Sequence, residues 1–218
     1  GVRPLYLCER GGRLWFASEV KAIFAADPTI PRELDPIGLA ETFTFWSTVA
    51  PQSVFRGITE LEPGHIRTVT PSGTSGRAYW TPVYPVDGAG AFRGSIADAA
   101  AEVRTILHDA IRLRMTRADV PVGSYLSGGL DSSLVAALAR DARGDEFRTF
   151  SIRFEDPEFD ESGFQRMMAK RLGTTHEELL VRRGDIAAVF PRVVAHAERP
   201  ILRTAPAPLL LLSEAVHA

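Results

Sequence analysis

Apolar and polar residues alternate in short runs near the start of the chain. The alternation on either side of Gly11-Gly12 predicts a β-hairpin over residues 5–18. Ser18 is a good N-cap and predicts a short helix over residues 19–26. Asp35 followed by Pro36 predicts a second helix start, because proline suits the first helical position. Short strands are expected over residues 64–70.

The pattern changes after a stretch rich in proline, glycine and alanine, which predicts a linker over residues 84–94. Ser95 and Asp98 then resemble a capping box, with Asp in place of the usual Glu or Gln. The helix that they begin repeats apolar residues at the helical period, at Ala99, Val103, Ile106, Ala110 and Leu113.

Strands and helices alternate from residue 120 onward. Strands are predicted over residues 120–126, 147–154 and 177–181, with helices over residues 132–140, 161–172 and 185–197. This alternation predicts an α/β fold with a parallel, doubly wound sheet.

Composition excludes some classes of function. The chain of 218 residues is 45% hydrophobic and 24% charged, as in an ordinary globular protein. Its net charge of −2 argues against a nucleic-acid partner, which favours a basic excess. Leu209–Leu212 is too short an apolar run to span a membrane. One cysteine, Cys8, predicts a packed thiol without a disulfide and fits a cytoplasmic location.

The seven residues Ser127-Gly128-Gly129-Leu130-Asp131-Ser132-Ser133 lie between a predicted strand and a predicted helix. An open parallel sheet binds ligands there, outside the carboxyl ends of its strands. Glycines let backbone amides approach an anion, and a helix start favours phosphate. A simple Gly-Ser turn would also suit two glycines, but the whole string in this position favours nucleotide binding.

Asp131 is the one acid in that string. A carboxylate repels phosphate, so its expected role is to hold a Mg²⁺ ion that bridges phosphate oxygens. The string is not a Walker A loop, because no Gly-Lys-Ser/Thr follows, and G-x-G-x-x-G is absent.

At this string the sequence resembles the glutamine-hydrolysing asparagine synthetases, whose synthetase domain has the PP-loop ATP pyrophosphatase fold. The resemblance covers nearly all of the chain. The other segments that match the family pattern are Val120-Pro121-Val122-Gly123, residues 1–6 and 16–22, Pro63-Gly64-His65, Tyr79-Trp80, residues 159–162, Leu172-Gly173-Thr174 and His176.

The resemblance implies an adenine-nucleotide α-hydrolase-like sheet over residues 95–218, preceded by the end of an antiparallel α+β glutaminase domain over residues 1–83. Leu126 and Ile152 would flank adenine, with the Ile152 backbone reading the base edge. The loop Ser127, Gly128, Gly129, Leu130, Ser132 and Ser133 would hold pyrophosphate, and Asp131 would hold Mg²⁺. The resemblance implies ATP, aspartate and ammonia from glutamine as substrates, with β-aspartyl-AMP as the intermediate. A homodimer is also compatible with the resemblance.

The sequence departs from the family pattern in three respects. Residue 1 is Gly instead of the family's nucleophilic cysteine, the glutamine-binding residues would precede the chain, and a second ATP-side motif would follow Ala218. We therefore expect this sequence to be a piece of a longer chain and catalytically incomplete.

Arg203 is a further candidate for a catalytic residue, because a guanidinium group is suited to binding an anionic substrate. The alternative is that Arg203 is a solvated surface residue. His176 beside two glutamates is expected to be part of a strand rather than of a metal site.

Other functions stay open. A β-lactam synthetase-like ligase shares both regions, and a non-catalytic nucleotide-binding fragment would share the loop. An ammonia-dependent NAD or GMP synthetase fits the amino-terminal matches less well.

Overall fold

The computed structural model describes residues 3–86, 88–144 and 147–217, so Gly1 and Val2 of the first matching motif lie outside the described residues. The chain divides into two compact units, one of residues 1–86 and 191–203, the other of residues 87–190 and 204–218. The second division falls at Pro191, a proline inside a helix.

The first unit is built on the predicted hairpin. Its strands pair antiparallel across Gly11 and Gly12, which both have a positive φ, and the sheet order is β2–β1–β3. A separate exposed hairpin is formed by β4 and β5. The elements are β1 (Tyr6–Arg10), β2 (Arg13–Ala17), α1 (Val20–Ala26), α2 (Pro36–Phe45), β3 (Thr59–Glu60), β4 (His65–Thr70) and β5 (Gly73–Ala78).

The start of α1 differs from the prediction. Ser18 does not cap this helix, and its N-cap residue Glu19 makes no side-chain cap hydrogen bond. The carboxylate of Glu198, distant in the sequence, instead accepts hydrogen bonds from the backbone N–H groups of Val20 and Lys21 at 2.6 and 2.5 Å. A tertiary contact has replaced the local cap. The second predicted start is confirmed, because Asp35 accepts from the amides of α2 with Pro36 at its first turn.

The core of the first unit lies between the sheet and α1. Cys8 is 3% exposed and packs there, as predicted for a structural thiol, and burial raises its pKa. Other members of this core are Val20, Ile23, Phe24, Ile30 and Ile58.

The second unit contains a three-stranded parallel sheet in the order β6–β7–β8. Its parallel character was predicted, while the doubly wound arrangement remains an expectation. Its elements are α3 (Ile96–Thr116), β6 (Ser124–Tyr125), α4 (Leu130–Arg143), β7 (Arg148–Phe154), α5 (Ser162–Leu172), β8 (Thr175–Val181), the part of α6 (Arg183–Ala197) before Pro191, and α7 (Pro206–His217). No described helix is long and apolar enough to cross a bilayer.

β6 is shorter than the predicted strand over residues 120–126. Pro121 has no N–H to donate, so the ladder cannot run through it. Gly123 lies so close to β7 that a Cβ would come within 2.8 Å of the Arg148 carbonyl oxygen. The ladder pairs Ser124 with Thr149 and Tyr125 with Phe150, and beyond it the Leu126 amide donates to the Phe150 carbonyl at 2.8 Å.

The capping box that begins α3 is confirmed, since Ser95 and Asp98 exchange both hydrogen bonds. The helix that the apolar period predicted is confirmed, but Val103, Ile106 and Leu113 of that period are exposed. The packed face instead carries Leu107, Ile111 and Met115, which contact Leu138, Ala139 and Phe147. Both stripes have helical spacing, so periodicity alone could not choose between them.

Candidate functional site

The loop of residues 127–133 follows β6 and leads into α4, as predicted. Leu126 is 1% exposed and ends the buried part of this segment, while Ser127 and Gly129 are exposed. α4 begins at Leu130, and its N-cap residue, Gly129, has no side chain that could cap the helix. An uncapped helix start directs free N–H groups and the positive end of the helix dipole outward, which suits an anion.

Gly128 is required by the fold itself. Its φ is +84°, a value that residues with a Cβ rarely adopt. A Cβ there would also lie 3.1 Å from the Phe164 Cβ and 3.4 Å from the Gln165 Cγ. Backbone conformation and neighbouring helix α5 therefore both favour glycine at this position.

Gly129 is not required in that way. Its φ of −75° is open to any residue, and a Cβ would have only the Ser127 Oγ, at 3.5 Å, as a close neighbour. The folded chain thus tolerates a side chain here. A missing Cβ on the open side of a helix start leaves room for a ligand to approach the backbone.

The serines at the two ends of the turn bond to each other. The Oγ atoms of Ser127 and Ser132 lie 2.9 Å apart, and the Ser132 hydroxyl donates to the Gly129 carbonyl at 3.2 Å. The Ser127 amide donates to the Ser132 Oγ at 3.1 Å. These hydroxyls, predicted as phosphate donors, here shape the loop. Ser133 is half-buried and its amide donates to the Gly129 carbonyl.

Asp131 is exposed in the first turn of α4 and is the acidic residue of that turn. No group of three or more His, Cys, Asp or Glu side chains suited to a metal occurs in the described part of the chain. One carboxylate at a phosphate-binding loop is nevertheless enough for Mg²⁺, which keeps several waters and takes substrate phosphates as ligands. The neighbouring Leu130 is 83% exposed.

Ile152 lies in the central strand β7 and is half-buried. The parallel register pairs Tyr125 with Phe150, the Leu126 amide donates to the Phe150 carbonyl, and the loop follows directly. The structure therefore places Leu126, the loop and Ile152 at the same edge of the sheet, within one unit.

Gln165 was missed by the sequence analysis. It lies on α5 and is 3% exposed. Its Nε2 donates to the Ile152 carbonyl at 3.1 Å and, more weakly, to the Ser127 carbonyl at 3.5 Å. The matching segment of residues 159–162 lies just before it in the chain, but nothing in that segment points to Gln165. Asp160 itself accepts a hydrogen bond from the Ser162 amide at the start of α5.

A buried polar network lies on β7 and β8 beside this edge. The two ring nitrogens of His176 lie 2.9 Å from the Thr149 Oγ1 and 3.1 Å from the Ser151 Oγ. Burial lowers the pKa of His176, against the attraction of Glu178. Arg166 donates to both oxygens of Glu178, and these hydrogen bonds lower the pKa of that carboxyl. His176 lies in strand β8, as predicted, and its ring nitrogens bond to two hydroxyl groups.

Arg203 belongs to the first unit, whereas the loop belongs to the second. Its guanidinium carbon lies 3.6 Å from the centroid of the Trp46 ring, and Trp46 has a φ of 64°. This is a cation–π contact within the first unit. A role for Arg203 in binding an anionic substrate stays a prediction.

Two families of known proteins match successive parts of this chain. Residues 1–80 match the family profile described as a glutamine amidotransferase domain, and residues 102–218 match the profile described as asparagine synthase. The fold and site thus define a mixed α/β protein that joins an amidotransferase-type region to a synthase-type region.

The chain belongs to the asparagine synthase family. It is 32% identical to asparagine synthetase (glutamine-hydrolyzing) 3 of Bacillus subtilis over 93% of this chain and 33% of that protein. It is 29% identical to asparagine synthetase (glutamine-hydrolyzing) 1 of the same organism over 98% and 33%. It is 31% identical to amidase chyE of Penicillium rubens over 100% and 34%. The chain thus spans about a third of the length of these relatives.

Proposed function

We propose that this chain is part of an ATP-dependent ligase that converts aspartate to asparagine with ammonia from glutamine. The observation that carries the proposal is the loop of residues 127–133. It combines a left-handed Gly128, a Gly129 whose missing Cβ the fold does not require, and an uncapped helix start. The family membership of the chain supports the same reaction class.

In the proposed first step, an oxygen of the aspartate side-chain carboxylate attacks the α-phosphorus of ATP. The bond from that phosphorus to the bridging oxygen breaks, which gives β-aspartyl-AMP and pyrophosphate. Negative charge develops on the departing pyrophosphate. The backbone amides of Gly128, Gly129 and the first turn of α4 would stabilise that charge through preorganised dipoles.

The remaining residues would position the nucleotide. Leu126 and Ile152 would contact adenine at the edge of the sheet, which fixes the α-phosphorus relative to the loop. Asp131 would hold a Mg²⁺ ion, whose charge neutralises phosphate oxygens when it is bound. In the second step ammonia attacks the acyl carbon, the bond to the phosphate oxygen breaks so that AMP leaves, and the nitrogen releases a proton to solvent. Residues 1–80 would belong to the region that releases ammonia from glutamine.

Product analysis in the natural full-length protein tests this function. With Mg·ATP, aspartate and glutamine, we expect AMP, pyrophosphate, asparagine and glutamate in equal amounts. Formation of ADP and phosphate would contradict cleavage at the α-phosphorus.

A second candidate is amide chemistry on another carboxylate. It is favoured by the match to amidase chyE, which covers the entire chain. Replacing aspartate with a panel of amino acids and other carboxylates separates the two. The first candidate predicts that pyrophosphate release depends on aspartate, and the second predicts that a different carboxylate supports it.

A further inference from the structure

Gln165 contacts both sides of the proposed nucleotide site, although it lies on a separate helix. Its Nε2 donates to the carbonyls of Ile152 and Ser127 at 3.1 and 3.5 Å. A Cβ on Gly128 would lie 3.4 Å from both its Cγ and its backbone nitrogen. One side chain therefore contacts the adenine side of the site and the phosphate side together.

The geometry points to Gln165 as a positioning residue for the adenine nucleotide, an inference that rests on the proposed function. It holds the loop at a fixed distance from Ile152 in β7. An amide group suits this task because its two N–H bonds diverge, so that one can serve each carbonyl. Neither bond reaches the ligand, and Gln165 acts through the two segments that do.

The burial of Gln165 supports a positioning role over simple packing. Its Oε1 is buried and has no hydrogen-bond partner among the described residues. A buried carbonyl oxygen without a partner is unfavourable, so an aliphatic side chain of similar size would pack α5 against the sheet at lower cost. The two carbonyl acceptors fix the orientation of the amide, because reversing it would put oxygen against oxygen. What the glutamine adds is the pair of donated hydrogen bonds.

The tether, meaning the two hydrogen bonds from Gln165 to Ser127 and Ile152, is most important for a ligand that occupies both sides of the site at once. Pyrophosphate needs only the loop, and AMP depends mainly on the residues around Ile152 in β7. ATP needs both at the correct spacing. Loss of the tether should therefore weaken ATP binding more than the binding of either part, because the coupling between the two sides is lost.

Titration calorimetry on the natural full-length protein tests this inference, with Gln165→Met as the variant. Methionine matches the length of glutamine without its donors. We expect the affinity for Mg·ATP to fall about tenfold, and the affinities for inorganic pyrophosphate and AMP to fall less than about threefold. A general loss of folded protein would lower all three affinities by the same factor. Gln52→Met is the matched control, since the Nε2 of Gln52 also donates to a backbone carbonyl, that of Ser53 at 3.1 Å.

A second variant, Gln165→Glu, gives a readout that packing alone would not move. When protonated, the introduced carboxyl can donate to one carbonyl; when ionised, it repels both. The affinity for Mg·ATP relative to wild type should therefore fall as pH rises through the pKa of that carboxyl.

The outcomes are distinct. If wild type binds Mg·ATP and Gln165→Met binds it within about twofold of wild type, the inference is wrong and the proposed function survives. If both variants unfold, or the relative affinity of Gln165→Glu does not change with pH, Gln165 is only structural. Failure of the wild type to bind Mg·ATP or pyrophosphate would overturn the proposed function and this inference with it.

Discussion

Alanine substitutions at the two neighbouring glycines of the loop should have opposite consequences. At Gly128 the backbone has a φ of +84°, and a Cβ would meet the Phe164 Cβ at 3.1 Å. A left-handed conformation costs a residue with a Cβ about 1–2 kcal/mol, and the tight contact adds to that. We expect Gly128→Ala to lower the free energy of unfolding by about 1–3 kcal/mol.

At Gly129 the same substitution meets no strain, since φ is −75° and the one close contact is ordinary at 3.5 Å. Alanine raises the free energy of unfolding by about 0.4–1 kcal/mol because it restricts the unfolded chain, and it lowers it by a similar amount because it is a poor N-cap residue. These effects oppose each other, so the free energy of unfolding should stay within about 1 kcal/mol of wild type. The added methyl group instead occupies the space that phosphate would use, and Mg·ATP affinity should fall about tenfold or more.

Urea unfolding and calorimetric titration of both variants measure the two quantities separately. The expected pattern is a stability loss that is large for Gly128→Ala and small for Gly129→Ala, with the affinity of folded Gly129→Ala strongly reduced. A folded Gly129→Ala variant that binds Mg·ATP like wild type would refute the assignment of this loop to phosphate. An unchanged stability of Gly128→Ala would refute the described backbone geometry.

Three further predictions concern single side chains. Glu198→Ala should lower the free energy of unfolding by about 1–3 kcal/mol, because two α1 amides lose their acceptor. Exposed Glu19→Ala is the control and should lower it by less than about 0.5 kcal/mol; equal losses in the two variants would contradict a cap by Glu198. Burial lowers the pKa of His176, so the unfolded chain binds the proton more readily and the free energy of unfolding should fall as pH drops below about 6.5. In urea unfolding between about pH 7.5 and 5.5, His176→Gln should reduce this dependence of stability on pH, and an unchanged dependence would contradict the prediction. Asp131→Asn should keep the unfolding midpoint but lose Mg-dependent release of pyrophosphate, measured with a coupled phosphatase assay, and wild-type release would exclude the metal role.

Local patterns predicted those features whose causes are local. The turn at Gly11 and Gly12, the Asp35 cap and the Gly128-Gly129 loop each depend on a few consecutive residues, and each was found where it was expected. The polar, fully exposed strand β5 has no alternation to detect, and it was missed.

Tertiary contacts were beyond the reach of the sequence. The cap of α1 comes from Glu198, which lies 178 residues from Val20 in the chain. The packed face of α3 is chosen by the partner residues on α4, and the competing stripe through Val103 and Ile106 has equally good spacing. Gln165 gains its place at the site only because α5 packs beside the loop, and its own neighbours in sequence do not reveal this.

The central claim is that the loop of residues 127–133 binds the phosphates of an ATP that is cleaved at its α-phosphorus. The most direct test is carboxylate-dependent exchange of labelled pyrophosphate into ATP by the natural full-length protein, without any nitrogen donor. The account predicts exchange that requires aspartate and Mg²⁺ and that is lost in a folded Gly129→Val variant. Exchange that continues undiminished in this variant, or that is absent from wild type with every carboxylate tested, would contradict the account.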